Sequence, residues 1–231
     1  MKEINKTKGI FADRISVADE KDYVKYVVDE LSNEINERKI LGLCAPQLGY
    51  YARIICIKIE DQIKEFVNPV LRRAGNISFV KETCLSLEND DAYLVPRATD
   101  VDVYYQDKKG KMQGCTLKGI AATTFLQLYE ILVGVFIDDL YEKVPENFDT
   151  MTQEEQAIYL EEYAKRLETA NEKMDKDIKD DPELKELDEK MQAYKILSLA
   201  ELKGKTDAKS NLNRAKRRAL QKIVDKKVKK K

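Results

Sequence analysis

The sequence contains no histidine, which excludes any imidazole metal ligand and any imidazole acid or base. It also lacks a long apolar run. The longest, Ile131 to Ile137, is seven residues, far below the ~20 needed to cross a bilayer, so no membrane-spanning role is expected. Cysteines are few, at positions 44, 56, 84 and 115, with neither CxxC spacing nor the density of a disulfide scaffold. The amino terminus, MKEINKTKGIF, has no apolar signal region. Reduced thiols and a cytoplasmic location are expected from these two features. No glycine lies between 135 and 203, so the second half of the chain does not read as a flexible linker.

What is present is apolar and charged residue in quantity. With 231 residues, 43% of them hydrophobic, the chain has enough for one core of ~150 residues and an appendage. Its formal net charge of −1 conceals polarity. From Lys203 onward thirteen Lys or Arg stand against Asp207 and Asp225, giving +11, which leaves about −12 on the remainder.

Residues 18–38 read as a helix, because Tyr23, Val27, Val28, Leu31 and Ile35 recur at helical spacing behind an acidic first turn. Tyr51 to Ile59 is β-branched enough for a buried strand, continued by Glu65 to Leu71. Val101 to Tyr105 alternates as a half-buried strand, Asp107 to Gly110 gives a turn, and Met112 to Leu117 the return. Gly119 to Asp138, GIAATTFLQLYEILVGVFID, carries too many apolar residues for one stripe and reads as a helix buried on most of its surface. Strands followed by one buried helix indicate an α+β domain over 1–142.

Composition changes near Glu142, and residues 143–231 read as a charged, all-helical extension. Thr152 and Glu155 suit a capping box, followed by a stripe of Leu160, Tyr163, Leu167, Ala170, Met174 and Ile178. A second helix is expected from Pro182 to Gly204, and a third after Ser210. Two readings stay open: a hairpin that covers the domain, or an arm that docks on other subunits. The last segment, with Arg214, Lys216, Arg217, Arg218, Lys222, Lys226 and Lys227, suits a phosphate backbone or an acidic protein surface; otherwise it is a solvated tail.

Four short motifs in order carry a family resemblance. Leu41 to Gly49 (LGLCAPQLG) is similar to the GxGLAAPQxG motif of the peptide deformylases, and Glu82 to Ser86 (ETCLS) to their EGCLS. Asn68-Pro69 resembles their INP and Val95 to Arg97 their VPR. In the central helix, their QHExDHLxG stands in register with Leu126 to Gly134, LQLYEILVG. The resemblance implies a deformylase-like domain of antiparallel strands around one buried central helix.

It also implies a metal held by one Cys and two His, with a Glu handling the proton of a bound water. Here Cys84 matches the thiolate ligand, with Leu85 beside it, but Gln127 and Ile131 stand at the imidazole positions and Leu128 at the Glu. An isoleucine has no donor atom, and a Gln carbonyl is a poor partner for the metals a thiolate selects. No metal and no cofactor are therefore expected, and Leu128 and Ile131 are expected to have become core. Gln47, similar to the family's oxyanion-supporting Gln, is read as serving only its loop, and Cys84 as a buried structural thiol.

The functional expectation from these losses is a non-enzymatic pseudoenzyme. It would serve as a structural or adaptor component of an oligomeric multi-subunit assembly, such as the neck, portal ring or tail of a bacteriophage virion. Its location would be the host cytoplasm and the virion. The rival is a ribosome- or nucleic-acid-associated factor that uses the basic tail. An active deformylase is the third reading.

Overall fold

The computed structural model describes residues 2–6 and 12–179, apart from the side chains of Arg73 and of residues 170–179. The first element, α1 (Lys21–Arg38), buries Val24, Val27, Val28, Leu31 and Ile35 along one stripe. It ends at Lys39, whose φ of 56° turns the chain out of the helix. Strands β1 (Gly42–Cys44), β2 (Ile54–Ile59) and β3 (Gln62–Ala74) follow, then β4 (Ile77–Glu82), β5 (Tyr93–Ala98), β6 (Asp100–Gln106) and β7 (Met112–Lys118). The buried helix is α2 (Ile120–Leu132), and α3 (Gln153–Lys179) begins the extension. Five strands pair antiparallel in the order β1-β2-β3-β6-β7, while β4 and β5 form a separate two-stranded ribbon.

The five-stranded sheet separates two cores, and period-two alternation assigns each side chain to one of them. On β2, Ile54 and Cys56 join Val24, Val27, Leu31 and Ile35 of α1, whereas Ile55 and Ile57 join Phe125, Leu128 and Leu132 of α2. Burial on both faces explains why this strand reads as a continuous apolar run, without a polar alternation. Each buried aliphatic side chain adds roughly 1.5–3 kcal/mol to folding, so the two layers together account for the domain's cohesion.

The helix expected through Asp138 stops at Leu132. Gly134 takes a φ of 74°, its N–H donating to the Ile131 carbonyl at 2.9 Å while the Val135 N–H donates to Glu130 at 3.1 Å. This left-handed glycine closes the helix. Val133, Val135, Phe136 and Ile137 remain buried beyond it, which is why their apolarity resembled more helix.

Asn68, also left-handed at φ 50°, ties three segments together. Its side-chain oxygen accepts from the Ile15 N–H at 3.0 Å, and its amide donates to the Ile15 carbonyl at 2.8 Å and to Gln106 at 2.7 Å.

The capping box at α3 forms as expected. Thr152 N–H donates to the Glu155 carboxylate at 2.7 Å, and Glu155 N–H donates to the Thr152 hydroxyl at 3.3 Å. Tyr163, Leu160 and Leu167 then pack with Leu94, Phe79 and Phe148 against the β4–β5 ribbon. Tyr163, fully buried, donates its hydroxyl to the Leu94 carbonyl at 3.0 Å and accepts from the Glu142 N–H at 2.9 Å. Within the described residues the extension therefore begins as cover for the domain. The two further helices expected after Asp181, and the basic positions from Arg214 to Lys227, lie outside the described residues. No helix among the described residues is long and apolar enough to cross a membrane.

Candidate active site

Three segments carrying the motifs converge: β1 with the 3-10 turn Ala45–Leu48, the stretch Glu82–Ser86 at the end of β4, and α2. Gln47 links the first two. Its carbonyl accepts from the Cys44 N–H at 3.0 Å, and its amide donates to the Ser86 hydroxyl at 3.1 Å. Gln47 is buried and thus serves its own loop and also reaches beyond it. The 3-10 turn places Gln47 there, with Pro46 in its first positions and Gly49 left-handed at its end.

Cys84 is buried, and burial pushes its thiol above the ordinary value against the hydrogen bonds of Ser86 that lower it. Burial likewise raises the thiols of Cys44 and Cys56. Leu85, the next residue, is 46% exposed. In all three buried cysteines burial is the largest influence and acts against the thiolate, the opposite of what activates a reactive thiol.

On α2, the residues in register with the family's metal site do other work. Gln127 donates its amide to the Thr83 carbonyl at 2.8 Å and to the Glu82 carboxylate at 3.2 Å. Leu128 and Ile131 are 2% and 3% exposed and share one apolar cluster with Cys84 and Cys44. A Cβ built on Gly42 would stand 2.9 Å from the Leu128 Cδ1, so the glycine of β1 leaves the space that this leucine fills. Among the described residues no group of three or more His, Cys, Asp or Glu is placed to hold a metal ion. The family's metal does not fit the residues present: one thiol, an engaged amide and a hydrocarbon.

Two of the motif residues, Arg97 and Glu82, join Glu130 and Tyr141 in a buried polar network that sequence reasoning did not anticipate. Arg97 on β5 contacts Glu130 at 2.7 and 3.1 Å and Glu82 at 2.7 and 2.8 Å, and the Tyr141 hydroxyl donates to Glu130 at 3.3 Å. Burial would pull the guanidinium down, but Glu130 and Glu82 outweigh it and hold Arg97 well above its ordinary range. Tyr141 is pushed up by burial and then by Glu130. The available signal was Glu130 itself, the single charge in the apolar stretch Phe125–Ile137.

Comparison with known proteins places this arrangement. The polypeptide deformylase family model matches residues 8–146, more than half of the chain. Peptide deformylases from two strains of Treponema pallidum are 34% identical over 106 residues, covering 45% of this chain. The chain thus spans 64% of the length of those curated relatives. Among solved structures, the class I type b peptide deformylase from Acinetobacter baumannii bound to Met-Ala-Ser superposes with a TM-score of 0.55 at 22% identity. That match covers 60% of this chain and 98% of the other. The PDF from Vibrio parahaemolyticus bacteriophage VP16T, in complex with actinonin, gives a TM-score of 0.53 at 23% identity, covering 59% and 100%. At such identities the structures show the fold alone.

These findings overturn the expectation of a non-enzymatic scaffold or virion part, and with it that of an inactive pseudoenzyme. The relatives are named as deformylases, and nothing among them shows a structural role or inactivity. Three replaced side chains bear on one ligand set and not on the protein as a whole. With its motifs in order and its fold matched from end to end of solved deformylases, the chain belongs to the polypeptide deformylase family.

Proposed function

We propose that this chain acts on the amino-terminal end of peptides, with removal of an N-formyl group as its reaction class. The observation that carries the reading is the convergence of the three motif segments in family order, joined by the 3.1 Å contact from Gln47 to Ser86. Leu41 and Leu85, 44% and 46% exposed, flank the first segment and sit within the second, offering apolar surface to a peptide's first side chains. A peptide ligand is supported by the Acinetobacter deformylase solved with Met-Ala-Ser. No hydrolytic step is assigned to Cys84, Gln127 or Ile131, because they do not form a ligand set.

The test is incubation of the full chain with formyl-Met-Ala-Ser, with formate and free Met-Ala-Ser quantified, alone and with Fe(II), Ni(II) or Zn(II) added. Release in proportion to protein, reduced in a Leu85→Asp variant purified in the same way, supports the proposal. No release under any of these conditions overturns it. Equal release from both proteins would point to a contaminating hydrolase and would also overturn it.

A further inference from the structure

We propose that Gln127 replaces a metal ion as the link between α2 and the Glu82–Cys84 segment, so that this locus binds no divalent cation and holds its shape without one. An ion held jointly by Cys84 and two side chains of α2 would cross-link the two segments. In this chain the cross-link is made by one amide, which donates at 2.8 Å to the Thr83 carbonyl and at 3.2 Å to the Glu82 carboxylate. Thr83 immediately precedes Cys84, so the bond fixes the backbone that carries the thiol.

The remaining donors are committed elsewhere. Glu82 already accepts two hydrogen bonds from Arg97, and Glu130 accepts two more from the same guanidinium. Moving either carboxylate onto a cation would take from a buried arginine two of its four hydrogen bonds. Space is committed as well, since Leu128 fills the volume that Gly42 leaves and Ile131 is packed beside it in the apolar cluster. A cation at Cys84 would find no group of three donors among the described residues and would face a hydrocarbon wall, too little to offset its lost hydration.

The inference stands apart from the proposed activity, because metal content and melting are read whether or not formate is released. The full chain is dialysed separately against Zn(II), Ni(II) and Fe(II), then against metal-free buffer, and analysed by plasma mass spectrometry. Fewer than ~0.1 ions per chain, the same in Cys84→Ser, is expected for a site short of donors. Its Tm should not move with chelator. A stoichiometric ion that disappears in Cys84→Ser, or a Tm that falls with chelator, overturns the proposal. Gln127→Ala and Gln127→Glu should each lower Tm by at least ~2 °C, with no recovery on adding metal. An unchanged Tm in both variants would show that the amide links nothing and would also overturn it.

Discussion

Arg97 on β5 and Glu130 on α2 meet through two hydrogen bonds of 2.7 and 3.1 Å, with only 2% of either residue exposed. Neither charge has water to fall back on. Removing one partner should therefore cost more than the pair itself is worth: Arg97→Ala is expected to lose about 3–5 kcal/mol of stability, read from urea midpoints at constant m-value. The double replacement Arg97→Met with Glu130→Leu should be less damaging than Arg97→Ala, because it removes the buried Glu130 charge together with the guanidinium and leaves Glu82 and the Tyr141 hydroxyl, not a fully buried carboxylate, without those partners. A double variant that loses as much as Arg97→Ala or more would show that the network contributes geometry that apolar packing cannot supply.

Leu128 tests whether the old site is dry. Leu128→Glu, which restores the family's residue alone, places a carboxylate against Gly42 and the apolar cluster and should destabilise by more than about 3 kcal/mol. It should not raise formate release. Thermal melting is the readout, and an unchanged Tm would mean that the side chain reaches water.

Tyr163 tests the seam between domain and extension. Tyr163→Phe keeps the ring packing but removes the bonds to Leu94 and Glu142, leaving a carbonyl and an N–H without that hydroxyl. A loss of about 1–3 kcal/mol is expected. Limited proteolysis should show earlier cleavage within 153–169 than in the unaltered chain; identical cleavage would show that apolar packing alone seats α3.

Much of this architecture was legible because it repeats. The α1 stripe and the β6–β7 hairpin follow from periodicity, and the α3 capping box from a four-residue pattern. The ribbon of β4 and β5 was not read, since Ile77 to Glu82 has no clean alternation and Pro96 stands inside β5, where a proline argues against a strand. The motif register puts Gln127, Leu128 and Ile131 on α2, where they lie, but no local pattern announces their partners. Gln127 finds Thr83 across 44 residues, Arg97 finds Glu130 across 33, and Gln47 finds Ser86 across 39. Contacts of that separation are products of topology. The functional expectation failed for a related reason: it was argued from side chains that are missing, whereas the family was carried by those that remain.

The three-way tie at Asn68 sets a limit on how far this chain could be shortened. Deleting everything ahead of α1 would take away the Ile15 peptide, leaving the Asn68 side chain held by Gln106 alone and its oxygen without that donor. A trimmed version that began at the first helix would look intact on a diagram and would lack the strap that crosses β3 at Asn68.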